Sequence, residues 1–176
     1  VEALSRLSPA FDRERGTLTA GNSSPLTDGA ACCWVASEAG LERLPEDLPR
    51  VRLLDWETAA VDPRTEALLI GPAIAIPRML ARRGLMYEDI GLCKVGEAER
   101  LLRDGDTTLG GRVPVNVSGG LACFGEAVPA QAIAQVCELT WQLRGQAGAR
   151  QVEGAKAGIT ANIGLFGHGS SVICTR

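Results

Sequence analysis

NVSGGLACFGEAVPAQA, residues 116–132, is the stretch on which the reading of this chain turns. The pair Gly119–Gly120 and then Gly125 mark a loop, and Pro129 opens a helical pattern. A glycine-rich loop that breaks into a helix brings free backbone N–H groups toward whatever sits at the helix's first turn. Glu126 stands inside the loop, where its charge also suits capping of the following helix. That helix is predicted from near Pro129 to Arg144, with Gly145 as its stop. Ile133, Val136, Cys137, Thr140 and Trp141 recur at i, i+3, i+4, i+7 and i+8, which predicts that this face meets a core.

Upstream of the loop, RVPVNV (112–117) predicts a strand leading into it. GEAERLLRDGD (96–106) predicts a short amphipathic helix ended by Gly105, and EDIGLCKV (88–95) a brief strand. GPAIAIPRMLARRGL (71–85) predicts a longer helix, with Pro72 near its first position, Arg82 and Arg83 late, and Gly84 as stop. VRLLDWETAA (51–60) predicts a strand. Ala30 to Ser37, AACCWVAS, is apolar on both sides of its alternation and predicts a strand buried on both faces. Thr17 to Ala20 is a short β-type run, followed by a turn cluster from Gly21 to Gly29 in which Asn22 ties the backbone. Downstream, residues 155–175 predict two strands joined by a glycine-rich turn. Alternating strands and helices closed by two strands make an α/β layered fold.

Composition narrows the function. The 176 residues are 45% hydrophobic and 22% charged, with a net charge of −3, which places the chain among globular proteins. Neither nucleic acid nor an anionic membrane surface is an expected partner. No apolar run reaches membrane-spanning length, and residues 1–14 lack a signal-peptide pattern. The six cysteines include no CxxC pair and have one histidine beside them, so no metal site is expected. All six are expected to be buried free thiols, as in a reducing cytoplasm. No nucleotide loop or nucleophile elbow is present.

Five stretches together resemble the thiolase family. Residues 116–135 are similar to the family's N-x-x-GG-x-x-x-x-GHP-x-G-A-(S/T)-G segment. SPAFDRERGTLTAGNSSPLTDGAA (8–31) resembles its PAF…GT-x-TAGN-x-S-x-x-x-DGAA run. GPAIAIPRMLARRGLMYEDIGLCKVGEAE (71–99) resembles the stretch ending in (N/H)-EAF. The stretches at 102–116 and 137–156 look like the sterol-carrier-type branch. The resemblance covers the C-terminal half of a thiolase, with the nucleophilic cysteine and the CoA-covering loop domain expected upstream. It implies a thiolase-like layered fold, a mixed sheet with helices on its faces. Residues 1–40 would contribute a strand to the N-terminal half, and 41–176 would form the C-terminal domain.

What the resemblance implies about chemistry can be taken position by position. Thiolases, acetyl-CoA acetyltransferases among them, break or form a carbon–carbon bond beside a thioester in lipid metabolism. A cysteine nucleophile, a second acid/base and two oxyanion holes carry the reaction. The family's Asn or His before EAF falls on Gly96, the histidine of GHP on Glu126, and the histidine of the sterol-carrier-type HN-x-G motif on Ala161. On the CoA side the resemblance places Ser24, the last residue of TAGNSS, with Ala20 and Ala98; Ser24 reads equally as a turn serine. His168, the one imidazole, reads as a surface turn residue or as a replacement acid/base.

Two expectations follow. The first is a catalytically degenerate acyl-CoA-binding subunit that pairs with itself or with a thiolase N-terminal half. The second is an acyl-CoA C-acyltransferase whose nucleophilic cysteine lies on another chain or segment. No covalently bound cofactor is expected, only CoA or acyl-CoA as ligand.

Overall fold

The computed structural model describes residues 2–90 and 96–176, apart from the side chain of Leu165. In chain order the α-helices are α1 (Glu2–Ser5), α2 (Glu38–Leu41), α3 (Gly71–Arg83), α4 (Ala98–Arg103), α5 (Gly120–Phe124) and α6 (Ala130–Arg144). The strands are β1 (Arg52–Ala60), β2 (Ala157–Ile159), β3 (Asn162–Ile163) and β4 (His168–Thr175). The sheet runs β1–β4–β2, with β3 also on β4, and every pairing is antiparallel. The fold class is α/β. Among the described residues one parallel bridge, Leu26 to Glu126, lies outside the sheet.

β4 organises the molecule because its alternate residues face two different helices. Ile173 packs with Met79 and Leu80 of α3. Met79 and Ile173 are fully buried, each contributing about 1.5–3 kcal/mol of transfer free energy. Gly169, on the same face, meets the start of α3. A Cβ on Gly169 would lie 2.6 Å from the Gly71 carbonyl carbon, and one on Gly71 would lie 2.7 Å from the Gly169 Cα. The absence of side chains at both positions lets helix and strand touch. His168 and Ser170, on the opposite face, border the first turn of α6.

α3 and α6 end as their sequences predict: Gly84 and Gly145 are left-handed, at φ 64° and 72°. β1 is shifted in register between Leu53 and Asp55. Leu54 packs onto the α3 core cluster, while Asp55 is turned toward Arg82 of that helix.

Several expectations are corrected. Residues 30–37 form no strand, and Trp34 is fully exposed. A doubly apolar segment becomes a strand only where a sheet edge receives it, and the described strands pair only with one another. Residues 112–117 form no strand either. The Val113 and Val115 amides bond to the carbonyls of Asp106 and Thr107, at 2.9 and 3.0 Å, so this backbone is satisfied by the turn after α4. Thr17 to Ala20 runs into a 3-10 turn, Ala20–Asn22. Asn22 ties it, its Nδ2 donating to the Thr17 carbonyl at 2.9 Å and its Oδ1 accepting from the Thr19 amide at 2.7 Å.

Of the strand expected at 88–95, residues 88–90 lie in a 3-10 turn, Tyr87–Ile90; the rest fall outside the described residues. The buried face of α6 also differs from its apolar periodicity. Gln142 and Leu143 are buried, whereas Ile133 and Trp141 are exposed. Among the described cysteines only Cys174 is buried; Cys32, Cys33 and Cys123 are exposed and Cys137 is half-buried. Cys93 lies outside the described residues.

Candidate functional site

The glycine loop reaches the sheet region through two tethers. α5 starts from Gly119 and Gly120, at φ 95° and 60°, a backbone that glycine adopts without strain. It ends at Gly125, φ 76°, whose open side is filled by the Thr27 side chain. Glu126 is then clamped by main chain alone. Its N–H donates to the Pro25 carbonyl at 2.7 Å, and its carbonyl accepts from the Thr27 amide at 3.3 Å. Pro25 and Thr27, just after the TAGNSS segment, thus hold the glycine loop, and Ser24, next to Pro25, is half-buried.

Glu126 does not cap α6. The cap position is Pro129, with no side-chain hydrogen bond to the helix start among the described residues. The first turn of α6 borders a cleft of about 230 Å³, with the Gln131 and Ala132 amides bonded to the Ala127 and Pro129 carbonyls at 3.1 and 3.3 Å. Pro129, Gln131, Asn162, His168, Ser170 and Thr58 line it. Gln135 and Asn162 exchange two amide hydrogen bonds, at 2.9 and 3.0 Å, which fix the β3 backbone against α6. The Gly164 amide donates to the His168 carbonyl at 2.7 Å, closing the turn that delivers His168 to the cleft. Gln131 Oε1 is shielded from solvent without a hydrogen-bond partner among the described residues. A buried free acceptor is costly.

The structure thus gathers some of the residues singled out from sequence and leaves others apart. His168 lines the cleft, Ala161 precedes its lining residue Asn162, and Glu126 lies two residues before its lining residue Val128. Ser24 is half-buried next to Pro25, whose carbonyl accepts from the Glu126 amide, and is not among the residues lining the cleft. Ala20 is exposed at the start of its 3-10 turn. Gly96 and Ala98 are exposed at the start of α4 and do not line the cleft. Gly96 has φ 90° and open space where a Cβ would point. Gln131 and Gln135 escaped the sequence reading. Polar residues in a first helical turn look like ordinary surface until the partner strand is known. No cluster of three or more ligating side chains suited to a metal occurs among the described residues. No helix of the described residues is long and apolar enough to cross a membrane.

Comparison with known proteins bears on this arrangement directly. The profile for "Thiolase C-terminal domain-like" matches residues 81–175, and that for "Thiolase, N-terminal domain" matches residues 1–39. The acetyl-CoA acetyltransferase of Methanothermobacter thermautotrophicus is 50% identical over 88 residues, covering 50% of this chain and 23% of that protein. Sterol carrier protein 2 of Oryctolagus cuniculus is 49% identical over 187 residues, covering 90% of this chain and 34% of that protein. The crystal structure of the Bacillus anthracis acetyl-CoA acetyltransferase superposes with a TM-score of 0.70 at 27% identity, covering 99% of this chain and 42% of that one. The chain thus spans less than half the length of these relatives. With one profile matching more than half of the chain, and the fold agreeing over nearly all of it, this chain belongs to the thiolase family.

Proposed function

We propose that the chain forms one wall of an acyl-CoA cleft and holds a thioester without supplying acid/base chemistry of its own. The observation that carries this reading is the main-chain clamp on Glu126, at the position where the resemblance expects the loop's histidine. A carboxylate offers no hydrogen-bond donor to an enolate or a tetrahedral oxyanion, and its charge opposes theirs. Losing one such donor costs roughly 10²–10³ in rate. Ala161 has no proton to transfer, and Gly96 has no side chain to hold a water. Ser24, with Ala20 and Ala98, makes the CoA side under this reading. The partner is a second copy or a cysteine-bearing thiolase N-terminal half.

Thiolysis of acetoacetyl-CoA with added CoA tests the reading, followed by loss of the 3-ketoacyl-CoA absorbance. The chain by itself is expected to match the no-protein control; turnover clearly above that control refutes the proposal. Glu126→His alone is expected to leave the rate unchanged, because Gly96 and Ala161 stay as they are.

One observation favours a second reading, an acyl-CoA C-acyltransferase whose nucleophile lies on another chain or segment: His168 lines the same cleft as Gln131. Turnover that appears on adding a cysteine-bearing thiolase N-terminal half, and disappears in His168→Ala, selects it.

A further inference from the structure

The outer edge of the sheet has no part in that reading. β1 is the outer strand of the described sheet and pairs with β4. Main-chain groups along an antiparallel strand point alternately toward its neighbour and away from it. Val61, the residue after β1, donates its N–H to the Gly167 carbonyl at 3.1 Å, toward the β4 side. Counting back through the unbroken register, Ala59 and Glu57 point inward with it, while Ala60, Thr58 and Trp56 point outward. Val172, opposite Trp56, agrees. Its carbonyl accepts from the Thr160 amide at 2.9 Å and its N–H donates to Thr160 Oγ1 at 3.0 Å, so both its groups are spent on the other side of β4.

Trp56 therefore turns an N–H and a C=O to the open side, the pair that a further strand would take. Side chains already hold both. The N–H donates to Asp55 Oδ1 at 2.9 Å, and the carbonyl accepts from Arg82 Nη2 at 3.0 Å. The same Nη2 donates to the same Oδ1, closing a ring. Oδ1 stands in for an opposing carbonyl and Nη2 for an opposing amide. Asp55 Oδ2 and Glu57 hold the guanidinium in place. An open edge is a template for another chain, and charged side chains at the edge are one way to block it.

We propose that Arg82 and Asp55 form an autoinhibitory contact that keeps the β1 strand of a second copy from adding to this edge. The strand itself names the occupant it excludes. Antiparallel pairing of two β1 edges about Thr58 sets Trp56 of each copy against Ala60 of the other, with all three outward positions in register. No like charges then stand opposite one another, because Glu57 faces Ala59 and Asp55 faces Val61. On the other side of Trp56, the register shift between Leu53 and Asp55 ends the regular edge.

The test starts on the unaltered chain. The Trp56 amide is expected to exchange its proton about tenfold more slowly than the Ala60 amide after correction for intrinsic rates, the effect of a hydrogen bond to a charged acceptor. Equal rates would overturn the contact. Arg82→Gln and its parent are then compared by light scattering across a dilution series, both carrying Trp34→Glu so that the exposed Trp34 does not contribute. Arg82→Gln is expected to dimerise at about tenfold lower concentration than the parent, with the Thr58 and Ala60 amides protected in the dimer. Adding Ala60→Pro removes an outward N–H that β4 does not use and is expected to restore the parent's behaviour. A folded Arg82→Gln chain that associates no more than the parent, or association that survives Ala60→Pro, would overturn the assignment. Should Arg82→Gln fail to fold, the exchange comparison decides alone.

Discussion

Arg82 on α3 grips Asp55 on β1 with two hydrogen bonds, Nε to Oδ2 at 3.0 Å and Nη2 to Oδ1 at 3.1 Å. The same guanidinium reaches Glu57 at 2.7 Å and the Trp56 carbonyl at 3.0 Å, and Arg83 adds a third hydrogen bond to Asp55 at 3.0 Å. Asp55 is 7% exposed, so its charge depends on these partners.

Asp55 sets the first prediction. The Arg82 hydrogen bonds lower its pKa from 3.8 to about 2, against the opposing effect of burial, with the Trp56 amide and Arg83 assisting. A depressed carboxylate stabilises the fold above its unfolded pKa and loses that contribution as pH falls through the folded one. Asp55→Asn is therefore expected to lower stability at pH 7 by about 1–2 kcal/mol, discounted because both arginines are partly exposed. The difference between wild type and variant shrinks from pH 4 toward pH 2. Urea unfolding at several pH values measures it, and a pH-independent difference would contradict the assignment.

Gly169→Ala probes the contact between β4 and α3. The new methyl would meet Gly71 and Pro72 backbone atoms at 2.6 Å, which can yield only by moving the helix. A loss of about 1–3 kcal/mol is expected, visible as a lower urea midpoint. A midpoint unchanged from wild type would mean that helix and strand sit further apart.

Ligand binding is tested at Ser24. If the TAGNSS wall takes the pantetheine arm, CoA binds this chain weakly, with Kd no tighter than tens of micromolar, or about −6 kcal/mol. Ser24→Trp is expected to abolish the calorimetric heat. Equal heats for both proteins would remove the CoA assignment from this wall.

Association is tested at Trp34. A fully exposed tryptophan in an apolar segment outside any strand is expected to draw the chain into self-association or onto a thiolase N-terminal half. Light scattering over a dilution series should show mass rising with concentration, and Trp34→Glu should weaken that rise. A compact monomer at low micromolar concentration, with Trp34 protected from quencher, would show that the segment has a home within the chain.

Local signals were legible without the fold. Pro72 and Gly84 bracket α3, and Gly145 stops α6 in the left-handed backbone that glycine favours, because caps depend on residues a few positions apart. The glycine loop and its Glu126 could be read the same way, and with them the family. What tertiary structure alone decided is pairing and cover. β1 and β4 meet across the length of the chain, with Trp56 opposite Val172, and nothing local announces that register. Residues 30–37 and 112–117 carry strand-like apolar patterns, but a strand forms only where tertiary structure brings it to a sheet edge, and β1, β2 and β3 pair only with β4. Trp141 and Ile133 fit the apolar stripe of α6 yet stay exposed, while Gln142 is buried by bonding the Arg150 carbonyl at 2.8 Å and the Val152 amide at 2.8 Å. Periodicity marks which residues can face a core; the extent of the neighbouring sheet and the backbone groups left to satisfy settle which of them do.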